Sequence, residues 1–153
     1  MSYARQAMRF YACMKHLDVT DISTKAKMKI KIDKADKAFS QYIRLRDMEC
    51  RKCHSIVQKN DKGLPVSHQA SHFMGRGKEN TRFNELNVDT LCMGCHMYFT
   101  AHPLEHVDWQ IEVKGQETVD ELRLWSNQYK KKDRAAEYLY WNQKLKDLMK
   151  GNE

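Results

Sequence analysis

Apolar residues at Ala35, Phe39, Tyr42 and Ile43, followed by Arg46, fall three and four positions apart, the spacing that lays one stripe along an α-helix. The pattern predicts a helix running to about Asp47, with Asp21 or Ser23 as its N-cap. Just upstream, Lys25, Lys27, Lys29 and Lys31 alternate with Ala26, Met28, Ile30 and Ile32. That two-residue period belongs to a strand and conflicts with a continuous helix. These lysines read equally well as a solvated face or as an arm contacting phosphate.

The helical period returns after residue 102. Pro103 suits a first helical turn, and a helix is expected from Leu104 to about Val113 with Gly115 as its stop. A second, from about Glu117, places Val119, Leu122, Trp125 and Tyr129 on one face. A third sets Tyr138, Trp141, Leu145 and Leu148 in a heptad-like seam ended by Gly151. The aromatic residues here read as packing residues of a supporting cap rather than as a base-stacking surface.

These patterns divide the 153 residues into three regions. Residues 1–49 form a basic helical arm with 11 basic and 6 acidic residues, and residues 107–153 a helical extension with 9 of each. Residues 50–106 hold four of the five cysteines and six of the seven histidines. A content of 41% hydrophobic residues is enough for one core and argues against disorder. No stretch reaches the roughly 18 apolar residues of a membrane span, and the opening MSYARQAMRF has no apolar leader segment, so the cytoplasm is the expected compartment. The formal charge of +7 attracts polyanions without choosing between nucleic acid and a membrane surface.

The cysteines sharpen the picture. Cys50/Cys53 and Cys92/Cys95 are two C-x2-C pairs separated by 38 residues. In a reducing compartment two such pairs supply the four thiolates of a tetrahedral structural zinc site, each short turn presenting two. Two separate redox pairs are the weaker reading, because a thioredoxin-like site needs a single C-x2-C after a strand. Zinc would pin a segment with few large apolar residues, and its removal would unfold residues 50–96. Cys13 reads as a lone buried thiol.

Between and after the zinc pairs run LPVSHQASHFMGRGKENTRFNELNVDTLC and MGCHMYFTAHPLEH. His72 precedes Asn87 by 15 residues, and Asn87 precedes His96 by nine. That order resembles the HNH, or ββα-metal, endonuclease motif. The run AFSQYIRLRD and the segments SHFMGRG and TRFNELN resemble the phage NinG (Rap) recombination-nuclease family, over a span from about residue 24 to the C-terminal helices.

The resemblance implies an α+β fold, with a zinc-bound ββα-metal core between an N-terminal basic helix and C-terminal helices. It implies a metal-dependent DNA endonuclease acting in phage recombination, on branched or junction DNA in the bacterial host cytoplasm. His72 would be the general base, its neutral imidazole taking a proton from the attacking water. Asn87, which cannot ionise, would hydrogen-bond backbone and hold His72 in line. His96 would be the ligand of a catalytic divalent cation, Mg2+ or Mn2+. Arg76 and Arg82 match family arginines and would either take phosphate oxygens as DNA-binding residues or stabilise the loop. Arg44 and Arg46 also match, but pairing with Asp47 or Glu49 is an equal reading.

Two positions depart from the HNH pattern. Ser71 stands before the general base and Thr100 four residues after His96, and a hydroxyl is a poor ligand at either. Water, substrate phosphate or one of His68, His102 and His106 would then complete the cation's shell. The competing reading is a zinc-ribbon nucleic-acid-binding module without catalysis, which has no need of His72. Symmetrical cleavage of a four-way junction requires two active sites, which a homodimer would supply.

Overall fold

In the computed structural model, residues 30–151 are described. The interpretations placed on Asp21, Ser23, Cys13 and Lys25 to Lys29 lie outside them. The first described element, α1 (Lys34–Asp47), is capped by Asp33 and not by Asp21 or Ser23. Asp33 Oδ1 accepts from Asp36 N at 3.1 Å and Asp36 Oδ2 from Asp33 N at 3.0 Å, a reciprocal capping box that satisfies two donors at the helix start. The helix stops at Met48, which turns into the left-handed region at φ 60° while its N–H bonds Arg44 O.

An antiparallel hairpin follows, β1 (Gln69–His72) against β2 (Val88–Leu91), with Gln69 opposite Leu91 and His72 opposite Val88. A short 3-10 turn, Glu85–Asn87, leads into β2. Four helices complete the chain: α2 (Met93–Ala101), α3 (Pro103–Lys114), α4 (Gln116–Asn127) and α5 (Arg134–Lys150). The mixed α+β class and all three expected C-terminal helices are therefore present. Gly115, at φ 85°, separates α3 from α4 where an L side chain would be strained. Tyr129 is an exception to the expected face: α4 ends at Asn127, and the residue is 81% exposed.

The core joins the two ends of the described chain. Phe39, Tyr42 and Ile43 of α1 pack with Trp141 and Leu145 of α5 and with Ala70, Phe83 and Val88 around the hairpin. Phe39 and Trp141 meet at a ring separation of 4.5 Å. Helix α1 and helix α5 are thus partners in one core, and the hairpin sits on it. A smaller cluster of Cys50, Leu91 and Phe99, with Trp109 against it, lies at the cysteine end of the hairpin. Strand β2 is buried at all four positions although its sequence is VDTL. Its polar side chains are paired, Asp89 with Lys114 Nζ at 2.6 Å and Gln110 Nε2 at 2.8 Å, and Thr90 Oγ1 with Ile43 O at 3.2 Å.

Candidate functional site

Cys50 and Cys53 lie in a tight turn after α1. Its hydrogen bonds, Cys50 N to Ser55 O at 2.8 Å and His54 N to Cys50 O at 2.9 Å, fold the chain back on itself. Cys92 caps α2, accepting from Cys95 N, so the second pair straddles a helix start. The four sulfur atoms come within 4.8 Å of one another, with Cys53 and Cys92 at 3.6 Å. Zn–S bonds of about 2.3 Å in a tetrahedron place sulfurs about 3.8 Å apart, so the donor set and its spacing can hold a structural zinc ion. Ser55 hydrogen-bonds Cys53, whose thiol is lowered to about 6, while burial raises Cys95.

A cleft of about 490 Å³ opens beside β1, lined by His72, His96, Arg76, Arg44, His68 and Gln69 among others. His72 reaches it from the last position of β1 and His96 from the first turns of α2. His72 Nε2 lies 2.9 Å from Arg82 O. A carbonyl only accepts, so Nε2 carries the proton and Nδ1 keeps the lone pair. Burial, reinforced by Arg76, lowers the His72 pKa to about 4, which leaves the imidazole neutral at pH 7.

Asn87 lies fully buried behind the cleft. Its Oδ1 accepts from Met74 N at 2.7 Å, and its Nδ2 donates to Met74 O at 2.9 Å and Thr81 O at 3.0 Å. It ties the chain just after His72 to the residue preceding Arg82, whose carbonyl orients the His72 ring.

Arg76 lines the cleft, and its buried Nε has no hydrogen-bond partner among the described residues. The expectation that Arg82 contacts phosphate is corrected, because its side chain is turned inward and occupied. Arg82 is 3% exposed and grips Asp36 through Nε at 2.9 Å and Nη2 at 2.6 Å, with Glu79 and Lys31 O taking further donors. It belongs to the loop-stabilising alternative, locking the hairpin loop to the α1 cap. Arg46 likewise pairs with Asp47 at 2.7 Å and donates to Glu85 O and Val88 O. Arg44 donates to Ser40 O and Ser67 O and lines the cleft. Its place there, and those of Ser40 and Gln69, were not foreseen, since they come from a helix face and a strand start that nothing in the sequence marks as converging.

Of the supplementary cation ligands weighed from the sequence, His68 alone lines the cleft. Ser71 is buried in β1 opposite Asp89, and Thr100 Oγ1 donates to His96 O. His68 uses both ring nitrogens on serines, as detailed below. His102 bonds Tyr98 O through Nδ1 and stacks on the Tyr98 ring. His106 is stacked on Phe99, accepts from Gln110 Nε2, and is lowered by burial to about 4. Among the described residues, the cysteine quartet is the group of three or more side-chain donors that gathers around one point. No described helix is long and apolar enough to cross a membrane.

The family model described as Bacteriophage Lambda NinG protein aligns with residues 15–153. No curated protein and no solved structure matches the chain.

Proposed function

The chain belongs to the bacteriophage lambda NinG family, and from that premise we propose that it is an HNH-type, metal-dependent DNA endonuclease acting on branched or junction DNA in phage recombination. One observation carries the reading: His72, His96 and Arg76 converge on one cleft, with the His72 ring held by Arg82 O in the tautomer a general base requires. A neutral imidazole with its lone pair on Nδ1 can take a proton from water. Asn87 fixes the loop whose carbonyl sets that tautomer. Arg76, with an unpaired buried donor, suits a phosphate oxygen.

A divalent cation at His96 would supply positive charge to the phosphate and the leaving oxygen. The fit is partial, since His96 is the one donor of those weighed from the sequence that faces the cleft uncommitted to another role. Such a cation would share its shell with DNA oxygens and water and bind together with the substrate. This shortage of donors also supports the second reading, a zinc-ribbon DNA-binding module without catalysis.

Cleavage of supercoiled plasmid and of a synthetic four-way junction, with Mg2+ and then Mn2+, separates the two. His72→Ala should lower cleavage about 10²- to 10⁴-fold while DNA binding and zinc content are kept. Wild-type protein that binds both DNAs and cuts neither leaves the binding module as the function. The ratio of junction to plasmid cleavage decides the substrate, and the stoichiometry on the junction tests the homodimer.

A further inference from the structure

His68 stands at the joint between the cysteine centre and β1, in a backbone conformation that few residues other than glycine adopt, φ 63°. A non-glycine residue held there needs surroundings that compensate for the conformation. Both ring nitrogens are engaged, and with a neutral ring and a metal-bound Cys53 thiolate the hydrogen bonds through them run in one sense. Gln58 N–H donates to Ser67 Oγ at 2.8 Å, and Ser67 Oγ–H to His68 Nδ1 at 2.9 Å. His68 Nε2–H is shared between Ser55 O at 2.9 Å and Ser55 Oγ at 3.0 Å. Ser55 Oγ–H then points to Cys53 Sγ at 3.3 Å.

A carbonyl can only accept, which puts a proton on Nε2; the neutral ring then accepts at Nδ1, and a metal-bound Cys53 thiolate, having no proton of its own, can only accept from Ser55 Oγ. The chain therefore ends with a donor aimed at a thiolate. The same Ser55 carbonyl accepts from Cys50 N, so His68 also braces the turn that presents both Cys50 and Cys53.

We propose that His68 is a positioning residue of the metal centre: through Ser55 it delivers a hydrogen bond to the Cys53 thiolate and clamps the first cysteine turn to the start of β1. Partners that orient and hydrogen-bond metal ligands raise affinity in this way. The centre and the cleft are thereby joined, since Gln69 follows His68 and His72 closes the same strand. The proposal rests on the four-cysteine centre and not on the nuclease reading.

The test uses the full chain loaded with Co2+, whose sulfur-to-metal charge-transfer band reports on the thiolates, and Zn2+ competition against a chelator. The variants are His68→Ala and Ser55→Ala, with His54→Ala as the control, because His54 adjoins Cys53 but pairs with Glu49. Removing the hydrogen bond raises the energy of the thiolate lone pairs. The band should therefore move to longer wavelength in both variants, and zinc affinity should fall about 10- to 100-fold for His68→Ala, with the control unchanged. A Ser55→Ala band at the wild-type position overturns the proposal, and does so even if His68→Ala fails to fold. Zinc affinity within twofold of wild type in a folded His68→Ala also overturns it. Wild-type protein that takes up neither metal overturns the centre itself and leaves the nuclease reading to be judged on cleavage.

Discussion

The β1–β2 hairpin carries two sites of opposite character. At the Leu91 end, four thiols face one another and form a complete donor set for one ion. Along β1 to His72, imidazoles and arginines line a cleft in which the donors among the described residues are too few to hold an ion unaided. A complete set closes a site and makes the metal part of the fold. An incomplete one leaves room for a partner that brings oxygen atoms of its own, as a phosphate does.

The surrounding packing repeats this contrast. The cleft rests on the broad apolar core of α1 and α5, whereas among the described residues the cysteine centre has beneath it only Cys50, Leu91 and Phe99 with Trp109 alongside. Order should therefore depend on metal at one site and on ordinary packing at the other.

The largest effect expected is from zinc removal, since structural zinc sites bind with on the order of 10 kcal/mol. Hydrogen exchange after chelation should show lost protection in residues 50–57 and 90–101, with α1 and α5 still protected. Uniform loss along the chain would erase the contrast. The expectation from sequence was wider, residues 50–96, and it narrows because β1 and the hairpin loop pack on the α1–α5 core.

Next is Arg82→Leu, which leaves the Asp36 carboxylate buried at 5% exposure without its partner. Breaking a buried pair from one side costs about 3–5 kcal/mol, and chemical denaturation should show that loss. Because Arg82 serves the core and not the cleft, DNA affinity of the folded fraction should stay at the wild-type level. A variant that weakens DNA binding while leaving stability untouched would return Arg82 to the phosphate-binding role.

The smallest effect is acid sensitivity at the cleft. His72 is lowered to about 4 by burial, below the ordinary 6.5 of the unfolded chain. Between those values the unfolded state binds the extra proton, so stability falls as pH drops from about 6.5 to about 4. His106, also lowered to about 4, adds to the same slope. With zinc held in excess, His72→Gln should flatten the stability profile in that window relative to wild type. An unchanged slope would mean the cleft imidazole is as well solvated as in the unfolded chain.

Much of the architecture was legible in the sequence. The helical period around Phe39 and the seam through Trp141 and Leu145 marked α1 and α5, and Pro103 and Gly115 bounded α3, because each signal acts within a turn or two of chain. The paired C-x2-C spacing likewise announced a four-thiol cluster. Strand β2 was harder to see, since Asp89 and Thr90 break the apolar run and are buried only because Lys114, Gln110 and Ile43 O meet them. The helix start was misplaced for a related reason. Asp33 and Asp36 cap each other at short range, but the weight of that box comes from Arg82, 46 residues away from Asp36.

The local periods, the stop residues and the set of four thiols able to hold a metal were written in the sequence, all properties of neighbouring residues or of a residue's own chemistry. Tertiary structure alone decided that Arg82 turns inward while Arg76 faces the cleft, that His68 is committed to the cysteine turn, and that His72 carries its proton on Nε2. Those roles are set by partners distant in sequence. A side chain's charge and donors are fixed by its identity, but whether it meets a carboxylate, a carbonyl or open solvent is fixed only when the chain has folded.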